Sequence, residues 1–447
     1  MNENIYEQKS LGKLIITFGI PSILSLIIEM LTGVIDTAFA GNLPDIGVDA
    51  LSAMALISPI LGIFIALQTL YAMSTGILIA KYLNRKEKQN SSYITGVIMS
   101  VAVAVATSVL CYLMLSRILA ILGAEGRIFS LASQYLKIQL MSNIFSSLGY
   151  TLTCCIRAFG YPKIEVVIIS VSVITNIVFN FIFAFLLHKG IAGLAWGTFV
   201  SESVCVICAI CFLIKKKRWI PKEMPSFREF LQRAVELFKI GIAQTVIQIL
   251  GGCTNIVMNE RLLFLGSITH VAAWSVVQRI YSLVLMPIVG LTQGVQNIIA
   301  YFSGNHAQEK VHKISKYTML YCGSYGIIAF IAMILGGENI LLLFGNSIEI
   351  LTIAKEILLV VFIGFPFIGI LYTDMTLLQV TGHEFSSVLL ILSRQVFILM
   401  PLIYIMPTIV GYSNLNISKT MILYLCVPIA DLLATIFASV VKKKIRL

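Results

Sequence analysis

The sequence predicts an all-α integral membrane protein with twelve transmembrane helices in two pseudo-symmetric six-helix lobes. Its 447 residues are 58% hydrophobic and only 12% charged, with a mean hydropathy of +0.94. A soluble protein of this composition could not cover its surface with polar groups. Apolar runs of about 20 residues or more, the length of a transmembrane helix, recur along the chain. The short alternating segments typical of a membrane β-barrel are not present in the sequence.

Charged or turn-forming residues separate the apolar runs into twelve predicted spans. They are residues 14–40, 51–80, 93–115, 131–156, 164–187, 191–214, 237–264, 270–302, 314–335, 352–380, 385–409 and 419–441. The polar segment 215–236 predicts a cytoplasmic linker between an N-lobe (1–214) and a C-lobe (237–447). "FGIPSI" (18–23) and "IGIAQT" (240–245) indicate a weak internal repeat. Two copies with an even number of spans would share one orientation in the membrane.

The net charge of +11 indicates how the chain is oriented in the membrane and does not indicate nucleic-acid binding. Most of the 32 Lys and Arg residues lie in one alternate set of loops, including "KYLNRKEK" (81–88), the linker and the tail "KKKIRL" (442–447). The positive-inside rule places this set in the cytoplasm, and the even number of spans places both termini there. The first apolar run is full length and has no small-residue cleavage site, so we expect no cleavable signal peptide.

The cysteine and histidine residues carry no recognisable chemistry. The nine cysteines form no disulfide framework, and the five histidines are scattered without metal-ligand spacing. No nucleophile–base motif stands out, and no Walker motif is present. We therefore expect a protein that is not an enzyme and that needs no cofactor or metal.

A membrane sensor or scaffold is a further alternative, but it would not account for unpaired acids within the spans.

Acids within the N-terminal spans are the strongest functional signal, because each costs about 2.5–3.5 kcal/mol at mid-membrane. If spans 1, 5 and 6 meet, their polar faces form one cluster. Its members are the candidate ion-coupling residues Glu29, Asp36, Asn176, Asn180, Thr198 and Glu202. Lys137 on span 4 is the only candidate counter-ion, and it lies near a span end. Such a cluster suits a mobile cation, although acids hydrogen-bonded within a helix bundle are the alternative.

The C-terminal half carries amides and balanced charges instead. The candidate residues for a substrate cavity are Gln244, Gln248, Asn255, Asn259, Gln278 and Asp374. Helix–helix hydrogen bonding would use the same amides. Structural ion pairs are the expected role of Arg279, Asp374, Arg394 and Asp431, with Asp374 kept as a secondary functional candidate. We expect Glu165, Glu260 and Glu356 to be exposed at span ends.

The chain resembles the multidrug and toxic compound extrusion (MATE) family over essentially its whole length, and three stretches carry the resemblance. They are "VIDTAFAG" (34–41), "IRAFGYPK" (156–163) and, most specifically, "AWSVVQRIYSLVLMPIVGLTQGVQNIIAYFSG" (273–304). The resemblance is greatest to the bacterial branch of multidrug exporters and DNA-damage-inducible proteins. It implies a MATE-like fold and a monomeric antiporter of a prokaryotic plasma (inner) membrane. Such a protein would export cationic, amphiphilic small molecules across the lipid bilayer in exchange for H⁺ or Na⁺ by alternating access.

The resemblance also implies a coupling site in the N-lobe, with its acid at Asp36, its asparagine at Asn176 and its threonine at Thr198. This chain departs from the family pattern in two ways. Many relatives have an acid where this chain has Asn180, and relatives often have glutamine where it has Glu29 and Glu202. We therefore hypothesise that negative charge has moved within one cluster. The alternative function is a flippase or exporter of a lipid-linked or metabolite cargo on the same fold.

Overall fold

The computed structural model describes residues 5–219, 224–342, 348–410 and 418–445. Regular structure in these ranges is helical: α1 Ile5–Gln8, α2 Leu11–Gly41, α3 Gly47–Lys81, α4 Lys86–Leu113, α5 Leu115–Ile121, α6 Gly126–Ala158, α7 Pro162–Phe181, α8 Gly190–Lys215, α9 Phe227–Leu265, α10 Ile268–Gly304, α11 Gln308–Leu341, α12 Ile348–Phe362, α13 Phe365–Val380, α14 Glu384–Leu392, α15 Met400–Val410 and α16 Lys419–Ile445. Two π-helical segments, Ile182–Leu186 and Ser393–Leu399, continue α7 and α14. The all-α fold class is confirmed.

Most of the predicted spans coincide with long apolar helices. Of the described segments, ten are long and apolar enough to cross a membrane, and the pair α12–α13, bent by 49°, makes an eleventh. The remaining predicted span, 131–156, falls on α6, which is 33 residues long but more polar. This helix packs against α3, α4, α7 and α8, so polar side chains such as Asn143 are covered by protein.

The chain divides into two compact units. Unit 1 comprises Met1–Ser10 and Ile20–Thr245, and unit 2 comprises Leu11–Gly19 and Val246–Leu447. Helices α2 and α9 each contribute residues to both units. Helix α9 begins at Phe227, within the predicted linker 215–236. Residues 220–223 of that linker and 446–447 of the basic tail lie outside the described ranges.

Each unit has its own apolar core, and small residues let its helices approach closely. In unit 1, Ile57, Leu136 and Leu194 are buried in one core cluster. A Cβ added at Gly96 on α4 would lie 2.0 Å from Thr75 Oγ1 on α3, so these helices meet where glycine removes the side chain. In unit 2, the rings of Phe362 and Phe365 stack at 4.8 Å across the break between α12 and α13.

Candidate cation-binding site

The principal candidate site lies where α2, α7 and α8 meet in unit 1. Asn180 Nδ2 donates to Asp36 Oδ1 at 2.6 Å and to Asn176 Oδ1 at 3.0 Å. Asn176 Nδ2 donates in turn to Thr198 Oγ1 at 3.4 Å. We call these four residues the Asp36 cluster. The structure thus brings together four of the six predicted ion-coupling residues in one chain of hydrogen bonds.

Helical spacing explains how the sequence positions the two asparagines. Asn176 and Asn180 are four residues apart on α7, so they share one face, and both are buried. The α-helical pattern changes directly after Phe181 into the π-helical segment Ile182–Leu186. Such π-helical turns interrupt the regular bond ladder and occur frequently at functional sites. The change therefore falls within two residues of the group that contacts the acid.

The Asp36 cluster has hydrogen-bond acceptors in excess of donors. Asn180 Oδ1 is buried and has no hydrogen-bond partner among the described residues. Asp36 is half-buried and belongs to none of the ion pairs found in the described part of the chain. A carboxylate held by one amide, next to an amide oxygen without a donor, can take up a proton or a small monovalent cation.

Tyr135 on α6 is a neighbour of the cluster that the sequence analysis did not single out. Its ring is buried, and its hydroxyl accepts a hydrogen bond from Gln139 Nε2 at 2.9 Å. The hydroxyl also lies within electrostatic range of Asp36. The i, i+4 spacing of these two polar residues on a predicted span is the signal that could have identified them.

Gly197 on α8 makes room for the amide that contacts the acid. A Cβ added at this position would lie 2.0 Å from Asn180 Oδ1 and 2.8 Å from the Asn180 backbone nitrogen. Alanine would therefore displace both α7 and the Asn180 side chain from Asp36. We expect Gly197→Ala to reduce transport by about tenfold or more, as misplacing a binding group by about 1 Å commonly does.

The matched control for Gly197→Ala is Gly62→Ala on α3. A Cβ at Gly62 would meet nothing within 4 Å, so this variant makes the same chemical change in open space. Both variants are assayed for substrate efflux from proteoliposomes at equal amounts of folded protein. Equal efflux by the two variants would show that the packing of Asn180 against Gly197 does not matter for transport.

Glu29 and Glu202 lie in a second polar group of unit 1. Glu29 is seven residues before Asp36, about 10 Å along the axis of α2. Its carboxylate interacts electrostatically with Glu165, Glu202 and Arg157. We call these four residues the acidic group. The predicted six-residue set is therefore divided between two places in unit 1.

Arg157 and Glu165 are the functional candidates that sequence reasoning missed. Arg157 Nη1 pairs with Glu165 Oε1 at 3.1 Å, with side-chain exposures of only 5% and 2%. The expectation that Glu165 is exposed was wrong, because the Phe159–Tyr161 turn folds α7 back against the end of α6.

Lys137, the expected counter-ion, is exposed. Glu260 and Glu356 are exposed, as predicted.

The C-terminal candidates are placed as follows. On α9, Gln248 and Asn255 are exposed, whereas Gln244 and Asn259 are half-buried. Gln278 on α10 is half-buried. These amides form no common hydrogen-bond network in the described ranges, so their role in a substrate cavity stays a prediction.

The charged candidates of the C-terminal half form two ion pairs. Arg394 Nε pairs with Asp431 Oδ1 at 2.6 Å, so the expected structural pair is found for these two residues. Asp374 is buried and pairs with Lys442 Nζ at 2.7 Å, a partner that was not predicted. Arg279 is exposed. A buried acid that already has a lysine is less available to a cationic ligand than Asp36.

Comparison with known proteins agrees with this architecture. The family model described as MatE matches residues 21–182 and 242–405, which include Asp36, Asn176, Asn180 and Asp374. The chain belongs to the MatE family. The resemblance noted in the sequence is therefore confirmed, and so is the expectation of a membrane transporter rather than an enzyme.

The MatE relatives include curated bacterial proteins. "Multidrug export protein MepA" of Staphylococcus aureus (strain bovine RF122 / ET3-1) is 27% identical over 426 residues, 94% of this chain and 93% of the relative. The protein of the same name from Staphylococcus haemolyticus (strain JCSC1435) is 26% identical over 414 residues, 92% of this chain and 90% of the relative.

Two solved transporter structures share the fold of this MatE protein. A mutant of the Vibrio cholerae MATE transporter VcmN superposes with a TM-score of 0.89 at 17% identity, covering 97% of this chain and 96% of the other. A MOP superfamily transporter from Pyrococcus furiosus superposes with a TM-score of 0.87 at 18% identity, covering 98% of each chain. The binding pocket of the Pyrococcus transporter has reverse polarity, which suggests a different function for that protein. The fold alone therefore does not determine the cargo.

Proposed function

We propose that this MatE protein is a secondary antiporter that exports organic cations in exchange for H⁺ or Na⁺, with the coupling cation bound at the Asp36 cluster. The observation that carries the proposal is the Asp36 carboxylate itself. Its one hydrogen-bond donor in the described structure is the Asn180 amide, next to a buried Asn180 Oδ1 without a partner. The export activity named for the staphylococcal relatives supports the direction of transport.

The composition of the cluster favours the uptake of one positive charge. Asp36 is its only ionisable member, because Asn176, Asn180 and Thr198 are neutral. An asparagine at position 180 supplies a hydrogen-bond donor to Asp36 without adding a second negative charge. One proton or one Na⁺ would therefore neutralise the cluster.

Cation binding would drive the transport cycle because the coupling cation binds the outward-open and inward-open states with different affinity. A charged Asp36 favours the state in which water or a cation reaches it, whereas a neutral cluster can be closed off from water at lower cost. The concentration of Lys and Arg in one alternate set of loops supports a prokaryotic plasma-membrane location in which these loops and both termini are cytoplasmic. We further propose that the protein acts as a monomer with a cationic, amphiphilic substrate and no other cofactor.

Efflux from proteoliposomes tests the proposal. The purified full-length protein is reconstituted and loaded with tetraphenylphosphonium, and a proton gradient or a Na⁺ gradient is imposed separately. We expect one of the two gradients to accelerate efflux over protein-free liposomes, and an ionophore for that ion to abolish the effect. If folded protein gives no acceleration under either gradient with a panel of organic cations, the antiport proposal is wrong, and a lipid-linked or metabolite cargo becomes the alternative to assay.

A further inference from the structure

The first turns of α9 precede the predicted membrane span. Helix α9 begins at Phe227, whereas the span was predicted over residues 237–264. A capping box defines this start: the backbone N–H of Ser226 donates to Glu229 Oε2 at 2.9 Å, and the backbone N–H of Glu229 donates to Ser226 Oγ at 3.3 Å. The sequence therefore specifies a helix before the span, and we call residues 227–239 the α9 extension.

The polar side of the α9 extension is fixed to the end of α3 within unit 1. Glu236 Oε1 accepts hydrogen bonds from Lys81 Nζ at 3.2 Å and from Tyr82 Oη at 2.9 Å, and Glu236 also pairs with Arg233. The guanidinium carbon of Arg233 lies 4.8 Å from the centroid of the Tyr82 ring. These contacts determine which face of the extension is turned away from α3.

The face that is turned away is apolar and exposed. Phe227, Leu231, Val235 and Phe238 are spaced i, i+4, i+8 and i+11, so they share one helix face, which we call the apolar stripe. Their exposed fractions are 78%, 48%, 54% and 49%. At 100° per residue, Glu236 lies roughly 145° around the helix from the centre of this stripe. The stripe is therefore free to contact another apolar surface.

The charges beside the apolar stripe are positive. Both acids of the α9 extension are already engaged, one in the helix cap and one in the contacts with α3. Arg228 and Lys239 are exposed and belong to none of the ion pairs found in the described part of the chain. Residues three or four apart on a helix are neighbours, so Arg228 adjoins Leu231 and Lys239 adjoins Val235.

An apolar stripe flanked by cations is complementary to an anionic phospholipid. Acyl chains can pack against the stripe while the phosphate groups lie at the two cations. With 39 residues, α9 is about 58 Å long, more than the roughly 40–45 Å of a bilayer with its headgroups, so a tilted α9 brings the extension to headgroup level. A second copy of the chain fits this face less well, because it would place cations against cations.

We propose that the α9 extension docks on anionic phospholipids of the leaflet that faces the cytoplasm. The apolar stripe lies between the acyl chains, and Arg228 and Lys239 bind the phosphate groups. This lipid site is separate from the Asp36 cluster and does not depend on which cargo is exported. Bound lipid holds the extension at the membrane surface, and through the Glu236 contacts it also holds the end of α3 there.

Native mass spectrometry of the detergent-purified, full-length protein tests the proposal by titration with dioleoylphosphatidylglycerol or dioleoylphosphatidylcholine. We expect the anionic lipid to bind at least about tenfold more tightly than the zwitterionic one. Arg228→Gln/Lys239→Gln should weaken binding of the anionic lipid by about tenfold or more. The matched control is Lys310→Gln/Lys316→Gln, which removes two exposed cations near the start of α11 and should bind within about twofold of the wild type.

A second variant tests the apolar component of the site. Leu231→Gln/Phe238→Gln should weaken the binding of both lipids by about threefold or more, since it removes apolar contact but no charge. Size-exclusion chromatography establishes that each variant is folded and reports its oligomeric state. If the stripe variant is not monodisperse, the charge variant decides alone, because its two side chains are exposed.

Four results would overturn the proposal. The first is wild-type affinity for the anionic lipid in the folded charge variant, and the second is an equal loss in the α11 control. The third is displacement of the anionic lipid by millimolar glycerol 3-phosphate, which would show a site for a soluble anion instead of a phospholipid. The fourth is a wild-type dimer that the stripe variant abolishes, since the stripe would then be an interface between two copies of the chain.

Discussion

Replacing Asp36 by asparagine is expected to reduce gradient-driven efflux of organic cations to the level of protein-free liposomes. Asparagine has nearly the same shape and can still bond to Asn180, so the helices of unit 1 should remain packed. It has no negative charge, however, and cannot take up a proton or attract Na⁺. The cluster would then be permanently neutral, and cation binding could no longer bias the equilibrium between the two access states. Efflux under the active gradient measures the effect.

The control for this variant is Asp45→Asn, which removes an exposed acid from the loop after α2. Asp45 has a φ of 60°, a left-handed conformation that asparagine adopts readily. Its efflux should match that of the wild type. If Asp36→Asn retains about half or more of wild-type efflux at equal protein content, the role assigned to the carboxylate is incorrect.

Removing the charge of Asp431 is expected to destabilise the protein more than any other single change considered. Asp431 is fully buried on α16 and pairs with Arg394 at 2.6 Å. Asp431→Asn would leave the Arg394 guanidinium buried without a counter-charge, at a cost of about 3–5 kcal/mol. The measurement is the apparent melting temperature of the purified protein in detergent.

A double variant separates the unpaired charge from other effects of the Asp431 substitution. In Arg394→Met/Asp431→Asn both charges are absent, so about half or more of the lost stability should return. Glu338→Gln breaks the exposed pair with Lys355 and should leave the melting temperature nearly unchanged. An equal loss in the single and the double variant would show that the ion pair contributes little to the stability of unit 2.

The positions of the helices and of the Asp36 cluster follow from simple sequence patterns. Apolar runs identify the spans because a helix that contacts lipid must be apolar along its length. Asn176 and Asn180 share a face through their i, i+4 spacing, and Asp36 is too costly in a membrane to lack a polar neighbour. These two local rules identify the polar faces of the three helices, and the structure shows that those faces meet.

The acidic group depends on tertiary detail that such rules do not contain. Arg157 and Glu165 are near the ends of predicted spans, where exposure to headgroups costs least. They are buried together because only the turn Phe159–Tyr161 separates α6 from α7, with Gly160 at a φ of 93°. The division of the six candidate residues into two groups could not be predicted either, since it depends on which face of α2 meets each neighbour.

Two span predictions show a similar limit. Span 131–156 corresponds to α6, whose polar side chains are covered by other helices of unit 1, so its hydropathy is low for a span. Span 352–380 is a bent pair of helices, with the break at Ile363 and Gly364 just before Pro366. Hydropathy averaged over a window does not detect such a break, whereas the glycine and proline pair does indicate it.

Substrate-induced counter-movement of the coupling ion tests the central claim most directly. An outward gradient of tetraphenylphosphonium is applied to proteoliposomes without any imposed ion gradient, and lumenal pH and uptake of radioactive Na⁺ are recorded. We predict that one of the two ions moves inward as the organic cation leaves, and that Asp36→Asn abolishes this influx while tetraphenylphosphonium still binds. Movement of tetraphenylphosphonium with no opposing movement of either ion, or ion influx that persists in Asp36→Asn, would contradict antiport through the Asp36 cluster.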